Sequence, residues 1–99
     1  MTTPSPPQRA IVLDPADNVA TALVPLAAGD PVATDAGTVT PAADIPRGHK
    51  LALRAIEPGE PVVKYGQPIG QATAPIAPGD HVHVHNCVSR RAGSGGRDA

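Results

Sequence analysis

Ile76-Ala77-Pro78-Gly79-Asp80-His81-Val82 is one of four copies of a short pattern, and the pattern decides how the chain folds. The others are Leu26-Ala27-Ala28-Gly29-Asp30-Pro31-Val32, Ile45-Pro46-Arg47-Gly48-His49-Lys50-Leu51 and Ile56-Glu57-Pro58-Gly59-Glu60-Pro61-Val62. Each runs aliphatic, two residues, Gly, two residues, aliphatic. In the last two copies along the chain Pro stands directly before Gly. That suits a type II turn, where Pro presets φ at the second position and Gly accepts positive φ at the third. Each copy therefore predicts strand, turn, strand with an aliphatic anchor at both ends. The glycine spacings of 19, 11 and 20 residues are too irregular for a solenoid. The expected architecture is a compact, mostly β domain of short strands and Pro-Gly turns.

Composition agrees. Thirteen Pro and ten Gly in 99 residues argue against a helical bundle, since both interrupt helix interiors. With no Trp, no Phe and one Tyr, the core must be Val, Ile, Leu and Ala. A chain of this length buries only roughly 60–65% of its unfolded surface, so docking on something larger would add stability. Between the turns, strands are expected at Ala10–Leu13, Val19–Val24, Gly37–Thr40, His49–Ile56, Pro61–Tyr65, Ile69–Thr73 and 81–86. Asp14-Pro15-Ala16-Asp17-Asn18 is turn chemistry, or the cap of a short helix with Asp14 as N-cap and Pro15 in its first position. The domain is expected to span residues 10–88, between a Pro- and Thr-rich disordered tail (1–9) and a flexible tail (89–99).

A net charge of −1 and the lack of a basic patch with interleaved aromatics argue against nucleic acid as a partner. No apolar run approaches the roughly 20 residues that span a bilayer. The first residues lack the apolar core of a secretory signal, so a cytoplasmic protein is expected. A lone cysteine, Cys87, fits a reducing compartment; it is either a reactive thiol or incidental.

The chemistry-bearing residues cluster around three turns. His81, His83 and His85 alternate with Val82 and Val84, so an extended strand would put an imidazole row on one face and an apolar row on the other. Two-histidine strand motifs with a third ligand from elsewhere are a common metal arrangement, and the alternative is an exposed strand face that carries histidines. Asn86 adds a neutral donor and acceptor at the strand end. Gly48-His49-Lys50 offers an acid/base group and a cation at a strand entry, or else a solvated turn. Lys64-Tyr65-Gly66 holds the only aromatic, which could fill the core with its hydroxyl bonded; Lys64 is either an anion partner or a surface lysine. The glycines sit singly in turns or, at Gly93–Gly96, in a tail without Lys-Ser/Thr context, so no phosphate loop is expected.

Four motifs in this order carry a resemblance: Asp17-Asn18-Val19-Ala20; Ile45-Pro46-x-Gly48-His49-Lys50-x-Ala52-Leu53; Gly59-Glu60-Pro61-Val62-x-Lys64-Tyr65-Gly66-x-x-Ile69-Gly70; and Ile76-x-x-Gly79-x-x-Val82-His83-x-His85-Asn86. Together they resemble the SAF domain of the altronate/galactarate dehydratase family, and also the alpha subunit of (2R)-sulfolactate sulfo-lyase. The resemblance implies a β-clip fold and a metal-dependent lyase that uses Fe2+, or Mn2+. It implies β-elimination from a 2-hydroxy carboxylate, either a small sugar acid or a sulfonated carboxylate, to a 2-oxo acid. A separately encoded large catalytic dehydratase subunit is the expected partner. Under this resemblance His83 and His85 are metal ligands. His49, Lys50 and Lys64 serve catalysis and charge pairing, and Asn86 and Tyr65 contact substrate. His81 is the weakest of its row, because the shared motif begins at Val82-His83. The alternative is a non-catalytic binding or docking module, since SAF-type domains also occur beside sialic acid synthase and in flagellar and pilus proteins.

Overall fold

The computed structural model describes residues 8–89. Nine short strands run through them, and among the described residues there is no helix. They are β1 (Ala10–Ile11), β2 (Val19–Ala22), β3 (Val32–Thr34), β4 (Gly37–Val39), β5 (Lys50–Ala52), β6 (Pro61–Lys64), β7 (Gln67–Ala72), β8 (His81–Val82) and β9 (Cys87–Ser89). All pairings are antiparallel, in a four-stranded sheet β1-β2-β5-β8, a hairpin β3-β4 and a three-stranded sheet β6-β7-β9. The mostly β reading holds.

The four repeated turns build this arrangement in pairs. Each closes with the hydrogen bond of a four-residue turn: Asp30 N to Ala27 O (3.2 Å), His49 N to Pro46 O (3.0 Å), Glu60 N to Glu57 O (2.9 Å) and Asp80 N to Ala77 O (3.0 Å). The anchors then pair across copies. Leu26 and Ile45 exchange both backbone bonds at 2.9 Å, and so do Ile56 and Ile76. Thr21–Leu51 and Leu51–Val82 are consequently two versions of one unit, each a hairpin flanked by two glycine turns. Gly29 N donates to Pro41 O in the first, Gly59 N to Ala72 O in the second; Gly48 N meets Ala22 O, and Gly79 N meets Ala52 O, all at 2.8 Å.

Each unit has its own core. Ala20, Ala22, Leu26, Val32, Val39, Ile45 and Leu51 pack with Ala10 in one; Val19, Ala52, Ile56, Val62, Ala72, Ile76 and Val82 form the other. β2 and β5 are shared: Ala20 and Leu51 point into the first core, Val19 and Ala52 into the second. Successive strand residues face opposite ways, so a sheet covered on both sides needs apolar residues in both registers.

Three expectations need correction. The strand 81–86 ends at Val82; residues 83–86 turn, closed by Asn86 N to His83 O at 3.0 Å, which breaks the two-residue alternation. Val84 accordingly lies 80% exposed instead of forming an apolar row with buried Val82. The strand 49–56 stops at Ala52, because Leu53 N turns to Asn18 O and Ile56 is reserved for its bridge to Ile76. Tyr65 does not fill a core: it is 61% exposed, at φ 60° beside Gly66 at φ 70°. Positive φ at both central residues is the twist-matched geometry for a two-residue hairpin, so the β6–β7 turn puts this side chain outside.

The Asp14 segment is a turn, with Asp17 N on Asp14 O at 2.9 Å, and not a capped helix. Strand β9 extends the ordered chain to Ser89, one residue past the expected boundary. At the other end Arg9 pairs with Asp30 (2.6 Å) and accepts Leu23 N on its carbonyl. The remainder of both expected tails, 1–7 and 90–99, lies outside the described residues. No described helix is long and apolar enough to cross a membrane.

Candidate functional site, a histidine corner

The β5–β8 pairing assembles the site. Leu51 opposes His81 and Lys50 opposes Val82, so continuing the register brings His49 opposite His83. Residues opposite each other in an antiparallel pair share a face. His49, His81 and His83 therefore stand together on the face whose floor is Leu51. His49 enters from the turn at Gly48 (φ +84°), and its carbonyl is held by Ala22 N at 2.8 Å.

The rings pack closely. His49 and His83 stack with centroids 4.6 Å apart, His81 and His83 at 5.3 Å, and His49 and His81 at 5.0 Å. His49 Nδ1 lies 2.9 Å from His81 Nε2, a hydrogen bond in which one ring donates and the other accepts. One ligand nitrogen from each of the three lies within 4.8 Å of the other two. Burial pushes the His81 imidazole below its usual pKa, helped by His49, His83, His85 and Lys50 around it. The protonated form of this ring is therefore disfavoured.

The donor set fits a first-row divalent ion. Ligand nitrogens about 2.0–2.1 Å from such an ion sit about 3–3.5 Å from one another, so three nitrogens within 4.8 Å would draw somewhat closer around it. His49 and His81 are half-buried and His83 is exposed, so the corner is anchored on one side and open on the other.

Asn86 shapes this corner from beneath. It is buried, its Oδ1 accepting from His83 N at 3.0 Å and its Nδ2 donating to His81 O at 2.9 Å. Both ends of its amide are thus committed to the segment that carries two of the three histidines. The structure gives it a positioning role, using one acceptor and one donor direction of the amide.

The other candidates separate into two places. Lys50 pairs with Val82 and so belongs to the opposite face of β5 from the histidines, although its charge still opposes protonation of His81. His85 lies next to His81, with ring centroids 5.7 Å apart, but outside the group of three. Lys64 and Tyr65 belong to the opposite end of β2. Lys64 Nζ sits 5.2 Å over the Tyr65 ring, and their turn is fastened to Asp17 and Asn18. His49 meets the same strand at Ala22. Four residues of strand between Asn18 and Ala22 correspond to about 13 Å, so these side chains serve another part of the surface.

The sequence reading placed His81 last and took Asp17 and Asn18 as turn residues and part of a family motif, with no site role. Asp17 is in fact the buried knot of the second hairpin's attachment. Its carboxylate accepts Leu13 N (3.2 Å), Asp14 N (3.1 Å) and Gly66 N (2.8 Å), while Asn18 bonds Pro61 O and Val63 N. A buried carboxylate with three N–H donors is a satisfied structural charge. The available signal was the Asp-Asn pair immediately before an apolar strand.

With this geometry established, comparison with known proteins is informative. The model of the altronate/galactarate dehydratase SAF domain matches residues 8–90. The chain belongs to this family. Altronate dehydratase of Escherichia coli (strain K12) is 57% identical over 70 residues, and that of Bacillus subtilis (strain 168) is 43% identical over 70. These stretches cover 71% of this chain but 14% of each relative, so the SAF chain spans a small part of the dehydratases it matches. The (2R)-sulfolactate sulfo-lyase subunit alpha of Paracoccus pantotrophus is 47% identical over 53 residues, which is 54% of this chain and 79% of that subunit. The SAF domain here is therefore of the lyase-associated kind. All three corner histidines fall inside the family match.

Proposed function

We propose that this chain is the small part of a lyase that removes a leaving group by β-elimination from a 2-hydroxy carboxylate, working with a larger dehydratase polypeptide. The observation that carries the reading is the convergence of His49, His81 and His83 within 4.8 Å, in a domain of the lyase-associated SAF family. A relative named as a subunit, and the small share of altronate dehydratase that the match covers, support a second polypeptide. Val84 and Val88, 80% and 51% exposed on either side of Asn86, are apolar surface suited to contact with it.

In the reaction a base takes the C2 proton, the C2–H electron pair forms the C2–C3 double bond, and the C3–O or C3–S bond breaks. A hydroxyl leaves as water after accepting a proton; a sulfonate leaves as sulfite. The enol then tautomerises to the 2-oxo acid. A divalent metal, Fe2+ or Mn2+, would supply Lewis-acid stabilisation of the charge that builds on the carboxylate. The Lys50 charge, near enough to act on His81, adds a positive field that favours an anionic substrate. Proton transfer falls to an imidazole at or beside the corner, a contribution of about 10²–10⁴ in rate for a positioned acid or base.

The test is reconstitution with a dehydratase-type large polypeptide, followed by a screen for 2-oxo acid formation and sulfite release. Activity with altronate, galactarate or sulfolactate is expected, and a folded His83→Ala chain abolishes it. Full activity of the large polypeptide alone, or with His83→Ala, overturns the reading.

A further inference from the structure

The geometry points to a divalent-cation site wholly on this chain, with His49, His81 and His83 as ligands and His85 outside it. It deepens the functional reading by giving the cation a place and sorting the imidazoles, but its test does not depend on turnover.

The argument is geometric. One ligand atom on each of the three rings comes within 4.8 Å of the other two, and among the described residues no carboxylate or thiol joins the group. Two imidazolium N–H groups cannot face each other at 2.9 Å, so the His49–His81 contact requires an unprotonated nitrogen on at least one ring. Unprotonated ring nitrogens offer lone pairs, which suit a cation and not an anion. Nitrogen donors select Fe, Co, Ni or Zn over Mg2+ and Ca2+, which want oxygen.

The three ligands are set by the paired strands β5 and β8: His81 lies in β8, His49 directly precedes β5 and His83 directly follows β8. His49 is fixed by its turn and by Ala22 N; the His81 carbonyl and His83 amide are fixed by the buried Asn86 amide. Such preorganisation is what distinguishes a site from three surface histidines. Exposure of His83 leaves the far side of an ion open to a substrate oxygen or to a ligand from another chain. His49 thereby becomes a ligand, and His85, on the exposed turn beside His81, becomes the imidazole free for proton transfer.

The test is titration of the metal-free 99-residue chain with Co2+, read by d–d absorption and by paramagnetic shifts of the histidine ring resonances. One ion per chain is expected, without competition from Mg2+. The rings of His49, His81 and His83 should shift as ligands, and that of His85 as a neighbour. His49→Asn, His81→Asn and His83→Asn should each weaken binding by more than about tenfold, the lower end of what even an outer-shell substitution costs a metal site. His85→Gln should leave it unchanged. No saturable binding by the wild-type chain, or loss on His85→Gln with retention on His49→Asn, overturns the assignment. If a variant does not fold, the ring shifts in the wild-type chain decide alone. Cobalt binding without lyase activity after reconstitution would sink the proposed function and leave this site standing; activity without cobalt binding would do the reverse.

Discussion

Gly48 and Gly79 occupy equivalent turns of the two units, yet replacing them with alanine should have different consequences. Both have positive φ, +84° and +89°. An L-residue in that region costs about 1–2 kcal/mol, from contact between Cβ and the backbone. At Gly48 that is the whole cost, since a Cβ there meets no other atom within 4 Å. At Gly79 the Cβ would overlap the Thr40 carbonyl oxygen, with Thr40 C at 3.1 Å and Ala42 N at 3.5 Å. Relief requires the turn to move away from the first unit, which strains Gly79 N to Ala52 O (2.8 Å) and Ala42 N to Gly79 O (3.0 Å). Overpacking of this kind adds about 1–3 kcal/mol. Gly79→Ala should therefore cost about 2–5 kcal/mol in all, and Gly48→Ala about 1–2. Against a stability of about 5–10 kcal/mol for a domain this size, the first is a large fraction. Urea denaturation followed by far-UV circular dichroism measures both, since the chain has no Trp. Equal midpoints for the two variants would refute the reasoning, because the packing of the second unit's turn on the first unit's backbone would then contribute nothing.

Asn86→Ala should destabilise the domain by about 1–3 kcal/mol, since it leaves the His81 carbonyl and His83 amide without their buried partner. It should also broaden the ring resonances of His81 and His83, which a ligand-contact role for Asn86 would not. For Cys87, burial pushes the thiol pKa up, opposed by the Gln71 backbone and by Lys50. The native state therefore favours the neutral thiol, and the stability that goes with it is full below the unfolded thiol's pKa and is lost as pH rises from there through the raised folded one. Alkylation of the folded chain should accelerate only at higher pH than alkylation of the urea-unfolded chain; coincident pH profiles would contradict this.

How much of this was legible beforehand depended on whether the signal was local. The four glycine turns, their aliphatic anchors and the mostly β class follow from residues within seven positions of one another. Positive φ at Gly29, Gly48, Gly59 and Gly79, and burial of Leu26, Ile45, Ile56 and Ile76, bear that out. The family, too, was readable from ordered motifs. The histidine row was read with the wrong period, because alternation over six residues looks like a strand whether or not the backbone stays extended. Asn86 decides that it does not, by folding its amide back onto His81 and His83.

What the sequence by itself determined is the set of turns, the mostly β class and the presence of an imidazole-rich segment after the fourth turn. Only the tertiary structure decided which histidines meet. His49 lies 32 residues before His81, and their contact exists because β5 and β8 pair with Leu51 opposite His81. That register is set by burial of Leu51 in one core and of Ala52 and Val82 in the other. A one-residue slip would turn each of these to the wrong face, so apolar packing of the two units, and not the spacing of the histidines, aligns the corner.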